Sequence, residues 1–295
     1  MLQLEKKKAT ETMKGLGRTG KDTGKGENIY TTRASVGEMV EFIKQAPRID
    51  GAGNSSETED SSKKWDDNAG YKGAIELAEI GWPAGVKQMK KFEVEAGENF
   101  DTLPAFSYDI AGAFPSVPAY CAGDPEHMAL PVDLPNKPVC RMVVEIGKAF
   151  HINAETCMRY GVAILGAVNS LITAGVTVVL DANWSGAFDF DRRDYTQWLI
   201  PLGGGGQVMD LDRLAYCLAH PALGRRIGFG YLERVKELAP TTKNGYGLNY
   251  GGGLFDTEEY DVHFTRIAND RDCKDGEAAR QLVEGILSKA GYGNE

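Results

Sequence analysis

The stretch that decides the fold is Val143–Asp181, which reads VVEIGKAFHINAETCMRYGVAILGAVNSLITAGVTVVLD. It joins an apolar, β-branched run, a short polar turn, a long segment with helical periodicity and a second strand-like run. This order predicts a β-strand, an α-helix that ends at Gly175 and a second strand parallel to the first. The chain therefore contains at least one β-α-β unit of an α/β domain.

The segments that follow extend this unit. Residues 195–203 alternate in polarity and predict a strand antiparallel to the one at Val176–Gly186. A helix from Asp210, a strand at 258–268 and a helix at 275–291 complete the order. This succession predicts a three-layer, Rossmann-like α/β/α sheet with helices on both faces and an early antiparallel hairpin.

Two regions precede the predicted sheet domain, which we place at 138–295. Residues 1–28 are rich in Lys, Gly and Thr and have almost no large apolar side chains, so we expect a flexible basic tail. Residues 29–137 combine short helices with an irregular segment rich in Pro, Gly and aromatics. The first helix, at Ser35–Ala46, begins with the Ser-x-x-Glu signature of a capping box.

Composition narrows the class of protein. The chain has 295 residues, 42% of them hydrophobic and 25% charged, which is typical of a globular protein with a substantial core. The formal net charge of −9 opposes nucleic-acid binding by bulk electrostatics. No apolar run has the length of a membrane span. Five cysteines without a C-x-x-C pair indicate reduced thiols in a cytoplasmic protein.

The early hairpin gives the region from Pro138 to Gly291 an element order that resembles a von Willebrand factor A-like domain. The metal site of that family has the sequence Asp-x-Ser-x-Ser after the first strand, where a carboxylate and two hydroxyls bind Mg²⁺. The matching turn here is EIGKA, at 145–149. Glu145 keeps an acid, but both serine positions are lost and Lys148 adds a positive charge. We therefore predict no metal at this turn.

Four sequence blocks resemble an uncharacterised family encoded by bacteriophages and prophages. The blocks lie at Trp65–Trp82, Asp109–Met128, Arg159–Leu180 and Arg213–Phe229. The resemblance covers about Trp65–Glu295 and implies a phage protein located in the host cytoplasm. It implies no activity.

Acidic residues gather around the predicted hairpin, at Asp181, Asp189, Asp191, Asp194, Asp210 and Asp212. One interpretation is a cluster that binds a divalent ion or acts in catalysis. The other is a solvated hairpin tip whose charge is balanced by Arg192 and Arg193, and we favour it. Glu145 likewise has an alternative role, as an ordinary strand residue that faces a helix.

The adjacent arginines Arg225 and Arg226 allow two interpretations. Together they have the donors to bind a carboxylate or phosphate of a ligand in a bidentate manner. Alternatively, one of them pairs with an acid from the 181–194 region and fixes two elements together, which we favour. The nearby Gly-rich segment Leu202–Gln207 lacks the Lys-Ser/Thr of a phosphate loop, so we interpret it as a flexible connection and not as a phosphate site.

No catalytic pattern emerges, since the four histidines lack zinc-binding spacing and no Gly-x-Ser-x-Gly motif occurs. We therefore predict a non-enzymatic domain for protein binding or assembly, without metal or cofactor. Two alternatives stay open: an enzyme with a divergent metal or phosphate site at the carboxyl edge of the sheet, and a nucleic-acid-associated protein that uses residues 1–28. The candidate residues for a ligand or partner are Glu145, Asp181, Asp189, Asp191, Asp194, Arg225 and Arg226.

Overall fold

The structure is a computed structural model that describes residues 2–8, 28–58, 61–89, 106–109, 114–115, 120–121, 123, 125–131, 139–147, 151–173, 175–188, 194–204, 210–244 and 259–292. In these ranges the chain has a six-stranded mixed sheet, a separate three-stranded sheet and seven α-helices. None of the described helices has both the length and the apolar character needed to cross a membrane.

The elements are numbered in chain order. The strands are β1 (Leu4–Lys8), β2 (Asn28–Arg33), β3 (Phe106–Asp109), β4 (Phe114–Pro115), β5 (Met128–Pro131), β6 (Val139–Glu145), β7 (Thr177–Phe188), β8 (Asp194–Gly204) and β9 (Val262–Phe264). The α-helices are α1 (Val36–Gln45), α2 (Gly70–Ile80), α3 (Pro83–Met89), α4 (Ala154–Thr173), α5 (Leu211–Ala219), α6 (Phe229–Arg234) and α7 (Gly276–Lys289). A π-helix at Leu223–Gly228 precedes α6, and a 3₁₀ helix at Ala239–Asn244 follows it.

The main sheet has the strand order β1-β2-β8-β7-β6-β9. The central strand β6 is parallel to both β7 and β9, and α4 forms the crossover between β6 and β7. Strands β7 and β8 form an antiparallel hairpin, which confirms the early hairpin predicted from the sequence. Strand β2 is parallel to β8, and β1 is antiparallel to β2 at the edge.

The amino-terminal segment contributes to this sheet. Leu4–Lys8, part of the predicted flexible tail, is an edge strand that pairs with residues 28–32 of β2. Leu2 and Leu4 pack against the core, and the ammonium of Lys6 lies 5.4 Å from the ring centroid of Tyr30. These contacts hold residues 2–8 against the sheet, although the charged composition of this segment by itself predicts a solvent-exposed tail. The sheet therefore combines strands from both sides of the predicted domain boundary at residue 138.

The described helices form one continuous layer on one face of the sheet. Their buried side chains join a single core with apolar sheet residues such as Leu180 and Trp198, both fully buried. The π-helix lies directly against the sheet, because a Cβ added at Gly224 or Gly228 would lie 2.8 Å from atoms of the Trp184 ring. The described residues thus show two of the three predicted layers.

Local signals explain most helix boundaries. The Ser35 hydroxyl accepts a hydrogen bond from the Glu38 N–H, and the Glu38 carboxylate accepts one from the Ser35 N–H, as the capping-box prediction requires. The Asp210 side chain caps α5, and the Asp275 side chain caps α7. The irregular segment predicted around 106–128 contains the small sheet of order β3-β5-β4.

Candidate functional site

The two faces of the main sheet differ in chemistry because side chains alternate along each strand. The helix layer covers the face that carries Leu180 and Trp184. The other face carries polar side chains at the carboxyl end of β6 and along the middle of β7. We call this set the polar site: Glu145, Asp181, Asn183, Ser185 and Gln197.

Glu145 is at the centre of the polar site and is only 2% exposed. Its Oε1 accepts hydrogen bonds from the backbone N–H groups of Gly147, at 2.8 Å, and Ser185, at 3.3 Å. Its Oε2 accepts from the Asn183 amide, at 2.6 Å, and the Ser185 hydroxyl, at 2.9 Å. Four donors therefore use the roughly four acceptor positions of one carboxylate.

The local chain path makes this arrangement possible. Glu145 and Asn183 are directly paired on the parallel strands β6 and β7, so their side chains lie side by side. Gly147 brings its N–H close to the carboxylate, because a Cβ at this position would lie 2.7 Å from Glu145 Oε1. The turn Glu145–Gly147 therefore helps to surround its own carboxylate with hydrogen-bond donors, an arrangement that we call the Glu145 cage.

Two buried amide oxygens at the polar site lack partners. Asn183 is fully buried and Gln197 is 7% exposed. Within the described part of the chain, neither Asn183 Oδ1 nor Gln197 Oε1 receives a hydrogen bond. Gln197 lies opposite Ser185 in the β7–β8 hairpin, and Ser185 is two residues from Asn183. Both oxygens therefore belong to one face beside the Glu145 cage, although more than nine in ten buried polar groups are normally paired.

Charged groups border the polar site. The Tyr260 hydroxyl donates to Asp181 Oδ2 at 2.8 Å, and burial together with this contact raises the pKa of Tyr260. Arg266 is half-buried. Burial lowers the pKa of its guanidinium, and the negative charge of Glu145 opposes that shift. His263 lies on the same face, and burial lowers its pKa, so its ring is neutral at pH 7.

The arginine pair lies elsewhere, in the helix layer. Arg226 is fully buried in the π-helix and pairs with the equally buried Asp66 through Nε and Nη2, each 2.8 Å from Oδ2. Burial works against ionisation of Asp66, but hydrogen bonds from Ser61 and Arg226 outweigh it and lower the pKa of this carboxyl. The acid that pairs with Arg226 in the described part of the chain is therefore Asp66, which lies outside the 181–194 region where the sequence analysis placed it.

Both arginines also bind backbone carbonyls. Arg226 donates to the carbonyls of Ser55, Ser56 and Thr58, and Arg225 donates to those of Trp65 and Ile152. The guanidinium carbon of Arg226 lies 4.5 Å from the Trp65 ring centroid. We call the polar loop 49–68 and the two arginines that hold it the arginine clamp. The Ser, Thr and Asp content of residues 50–68 is typical of a loop or linker, and the clamp ties the described part of this loop to the core.

The remaining acidic candidates are not brought into the polar site by any described contact. Asp189 and Asp191 lie outside the described residues, and of Asp194 only the backbone is described, at the start of β8. Among the acidic candidates whose side chains are described, Asp181 joins Glu145 on the polar face. In the described part of the chain, no three His, Cys, Asp or Glu side chains form a group able to hold a metal ion.

A cavity of about 550 Å³ lies between the start of α1 and the end of β8. The described part of the Gly-rich segment, through Gly204, belongs to β8, and its residues Leu202 and Gly203 line this cavity. Carboxylates of Glu41, Glu79 and Asp210 line it as well, against one basic side chain, Arg213, so the described lining is acidic overall. This charge disfavours a phosphate ligand at the cavity.

Sequence reasoning missed three members of the polar site. Asn183, Ser185 and Gln197 are neutral, so a search for acids, histidines and cysteines passes over them. Their signal is spacing: Asp181, Asn183 and Ser185 occupy alternate positions of one predicted strand and must share a face. A strand with a polar stripe beside buried neighbours was therefore recognisable.

Comparison with known proteins identifies a family. The family model described as Domain of unknown function (DUF7192) matches residues 20–293, nearly the whole chain. No curated protein and no solved structure matches the chain.

Proposed function

This chain belongs to the DUF7192 family, and on that premise we propose that it is a non-enzymatic recognition domain that binds a partner protein through the polar site. The observation that carries this proposal is the pair of buried, unpaired amide oxygens of Asn183 and Gln197. A buried acceptor without a donor costs free energy, and a bound partner that supplies the donor recovers it.

The chemistry of the polar site supports recognition over catalysis. Amide oxygens accept hydrogen bonds but do not exchange protons near neutral pH. Glu145 already accepts four hydrogen bonds, so attack or proton transfer by this carboxylate would first have to break them. The same cage holds Asn183 in one orientation, as a binding site requires.

The topology supports a von Willebrand factor A-like interpretation. The order β8-β7-β6-β9 has a central strand parallel to both neighbours and a third strand that returns antiparallel. The polar site lies at the carboxyl end of β6 and beside the middle of β7. Ligands of α/β sheets usually bind at the carboxyl ends of the strands, and Glu145 occupies such an end. A bacteriophage origin and a location in the host cytoplasm are part of the same proposal.

Affinity capture with matched baits tests the proposed function. We would compare the wild-type chain with Gln197→Leu, which removes one unpaired oxygen at nearly constant volume. Gln281→Leu is the control, since it makes the same change at an exposed position of α7. We expect at least one partner to be retained by the wild-type and Gln281→Leu baits and to be lost from Gln197→Leu.

Binding to that partner is then measured with purified proteins by calorimetry. The expected loss for Gln197→Leu is at least tenfold in Kd. Partners that bind all three baits equally would place the interface elsewhere on the molecule. The proposed function would then be wrong.

A further inference from the structure

The ligand of the polar site has to be a hydrogen-bond donor. Both unpaired groups, Asn183 Oδ1 and Gln197 Oε1, are acceptors. The Asn183 amide already donates to Glu145 Oε2, so the orientation of its oxygen follows from this contact. A fully ionised carboxylate has no donor for these oxygens and would also approach the negative charges of Glu145 and Asp181, so it fits the polar site poorly.

Three oxygens share the polar face at adjacent positions. Ser185 Oγ donates to Glu145 and keeps lone pairs with which to accept. Ser185 is paired with Gln197 across the hairpin and lies two residues from Asn183 on the same strand. Directly opposed residues in such a pair have Cβ atoms about 5 Å apart, and diagonal ones are about 7–8 Å apart. The set of three acceptors matches the three N–H donors of a primary ammonium.

Charge favours a cationic donor over a neutral one. The carboxylates of Glu145 and Asp181 lie on the polar face, and Arg266 supplies the half-buried positive charge near Glu145. Arg33 is also on this side of the sheet, but it is exposed and screened by solvent. His263 is neutral at pH 7. The formal charge of the whole chain is −9, which adds a long-range attraction for cations.

A divalent metal ion fits the polar site less well than an ammonium. Mg²⁺ and Ca²⁺ take six or more oxygen ligands and prefer carboxylates. The carboxylate of Glu145 is occupied by four donors from the chain. An ammonium needs only the oxygens that are available. A lysine side chain also carries its charge on a slender apolar stem, which reaches into a buried site from the surface. Asp181 and Ser185 are partly exposed to solvent.

We propose that the polar site binds the primary ammonium of a lysine side chain from a protein partner, through Asn183 Oδ1, Gln197 Oε1 and Ser185 Oγ. This inference rests on the proposed function and adds the chemical class of the ligand. The Glu145 cage supplies the negative field and keeps the Asn183 oxygen directed at the ammonium. Acetylation of the partner lysine removes both the charge and two of the three donors, so it abolishes the interaction.

The test is a titration of the full chain with small probes, followed by NMR of the side-chain amides of Asn183 and Gln197. The probe is Nα-acetyl-lysine methylamide. The comparison probes are the norleucine analogue, which lacks the amine, the Nε-acetylated lysine analogue, acetamide as a neutral donor, and MgCl₂. We expect saturable shifts with the lysine probe alone. We expect at least tenfold weaker binding to Gln197→Leu and unchanged binding to Gln281→Leu.

The outcomes separate this inference from the proposed function. Equal binding of acetamide and the lysine probe, or binding of Mg²⁺ alone, overturns the ammonium assignment and leaves a recognition site in place. Lysine binding that survives in Gln197→Leu overturns the assignment of the residues. If no probe up to 100 mM shifts either amide in the wild-type chain, the ammonium proposal is wrong. If in addition Gln197→Leu lowers the melting temperature, a structural water fills the site and the proposed function fails as well.

Discussion

The arginine clamp and the polar site are two buried polar regions that differ in how completely their polar groups are hydrogen-bonded. In the clamp, Arg226 meets one carboxylate and three carbonyls, and Glu233 accepts from both the N–H and the hydroxyl of Ser56. In the polar site, Glu145 is equally well paired, yet two oxygens beside it are left without donors. One region is complete within the described chain and the other is not.

This difference separates a structural role from a recognition role. A polar cluster whose members satisfy each other holds its elements together and has little left to offer a ligand. A cluster that orients acceptors and leaves them unpaired accepts a cost in stability, which is common at binding sites. Arg225 and Arg226, for which the sequence also allowed a ligand-binding role, belong to the first, structural kind. Asn183 and Gln197, which were not among the candidates identified from the sequence, belong to the second kind.

The largest expected effect tests the completeness of the clamp. In Arg226→Met, Asp66 stays buried without its counter-charge, and the three loop carbonyls lose their donor. We expect a loss of about 3–5 kcal/mol in the free energy of unfolding, measured by urea denaturation. The control is Arg280→Met, which breaks exposed pairs on α7 and should cost less than about 1 kcal/mol. Similar losses for the two variants would contradict a special role for the clamp.

The second effect is a dependence of stability on pH near the clamp. His220 is 5% exposed and packs edge-on against Trp82. Burial lowers its pKa to about 4, and the charge of Asp66 only partly opposes this. The unfolded chain protonates this histidine below about pH 6.5, whereas the folded chain resists protonation until about pH 4. Stability is therefore full above pH 6.5 and falls as the pH decreases towards 4.

The measurement is urea denaturation at pH 7 and pH 4.5 at constant ionic strength, for wild type and His220→Phe. The phenylalanine keeps an aromatic ring but cannot titrate. We expect the wild type to lose about 2–3 kcal/mol more than the variant between the two pH values. An equal loss in both proteins would assign the pH dependence to other groups.

The smallest effect has the opposite sign and tests the polar site. Gln197→Leu removes a buried oxygen that has no donor, so we expect a gain of about 1 kcal/mol. For a chain of this size the melting temperature should rise by about 2–4 °C in calorimetry. Gln281→Leu, at an exposed position, should be neutral within about 0.5 kcal/mol. A destabilised Gln197→Leu would show that the oxygen is already paired, and the contrast between the two regions would disappear.

The sequence predicts the centre of the fold and misses its edge for a physical reason. Strands β6 and β7, their crossover helix and the β7–β8 hairpin follow from local periodicity, and each is confirmed. The pairing of Ile29 with Tyr195 on parallel strands has no local signal, since the two residues are more than 160 positions apart and no turn joins them. The polar composition of residues 1–8 likewise does not show that two leucines suffice to anchor a strand.

The site was predictable in part. Glu145 and Asp181 were identified because acids at the carboxyl ends of strands stand out. A structural role for one of the two arginines was favoured from the sequence, but its partner was not identified, because Asp66 lies in a loop whose Ser, Thr and Asp content is typical of solvent exposure. That loop is held by carbonyl groups, and every residue type has one. Hydrogen bonds to backbone carbonyls therefore cannot be predicted from the side chains of the residues that provide those carbonyls.

Strand β1 has a practical consequence for anyone who shortens or tags this chain. Because β1 pairs with residues 28–32 of β2, removal of the first eight residues makes β2 the new edge strand of the sheet. Its uncovered N–H and C=O groups would then be open to a strand from another molecule. A variant shortened in this way for crystallisation would therefore have an exposed edge strand. Self-association measured on that variant would result from the truncation and would not report the behaviour of the full chain.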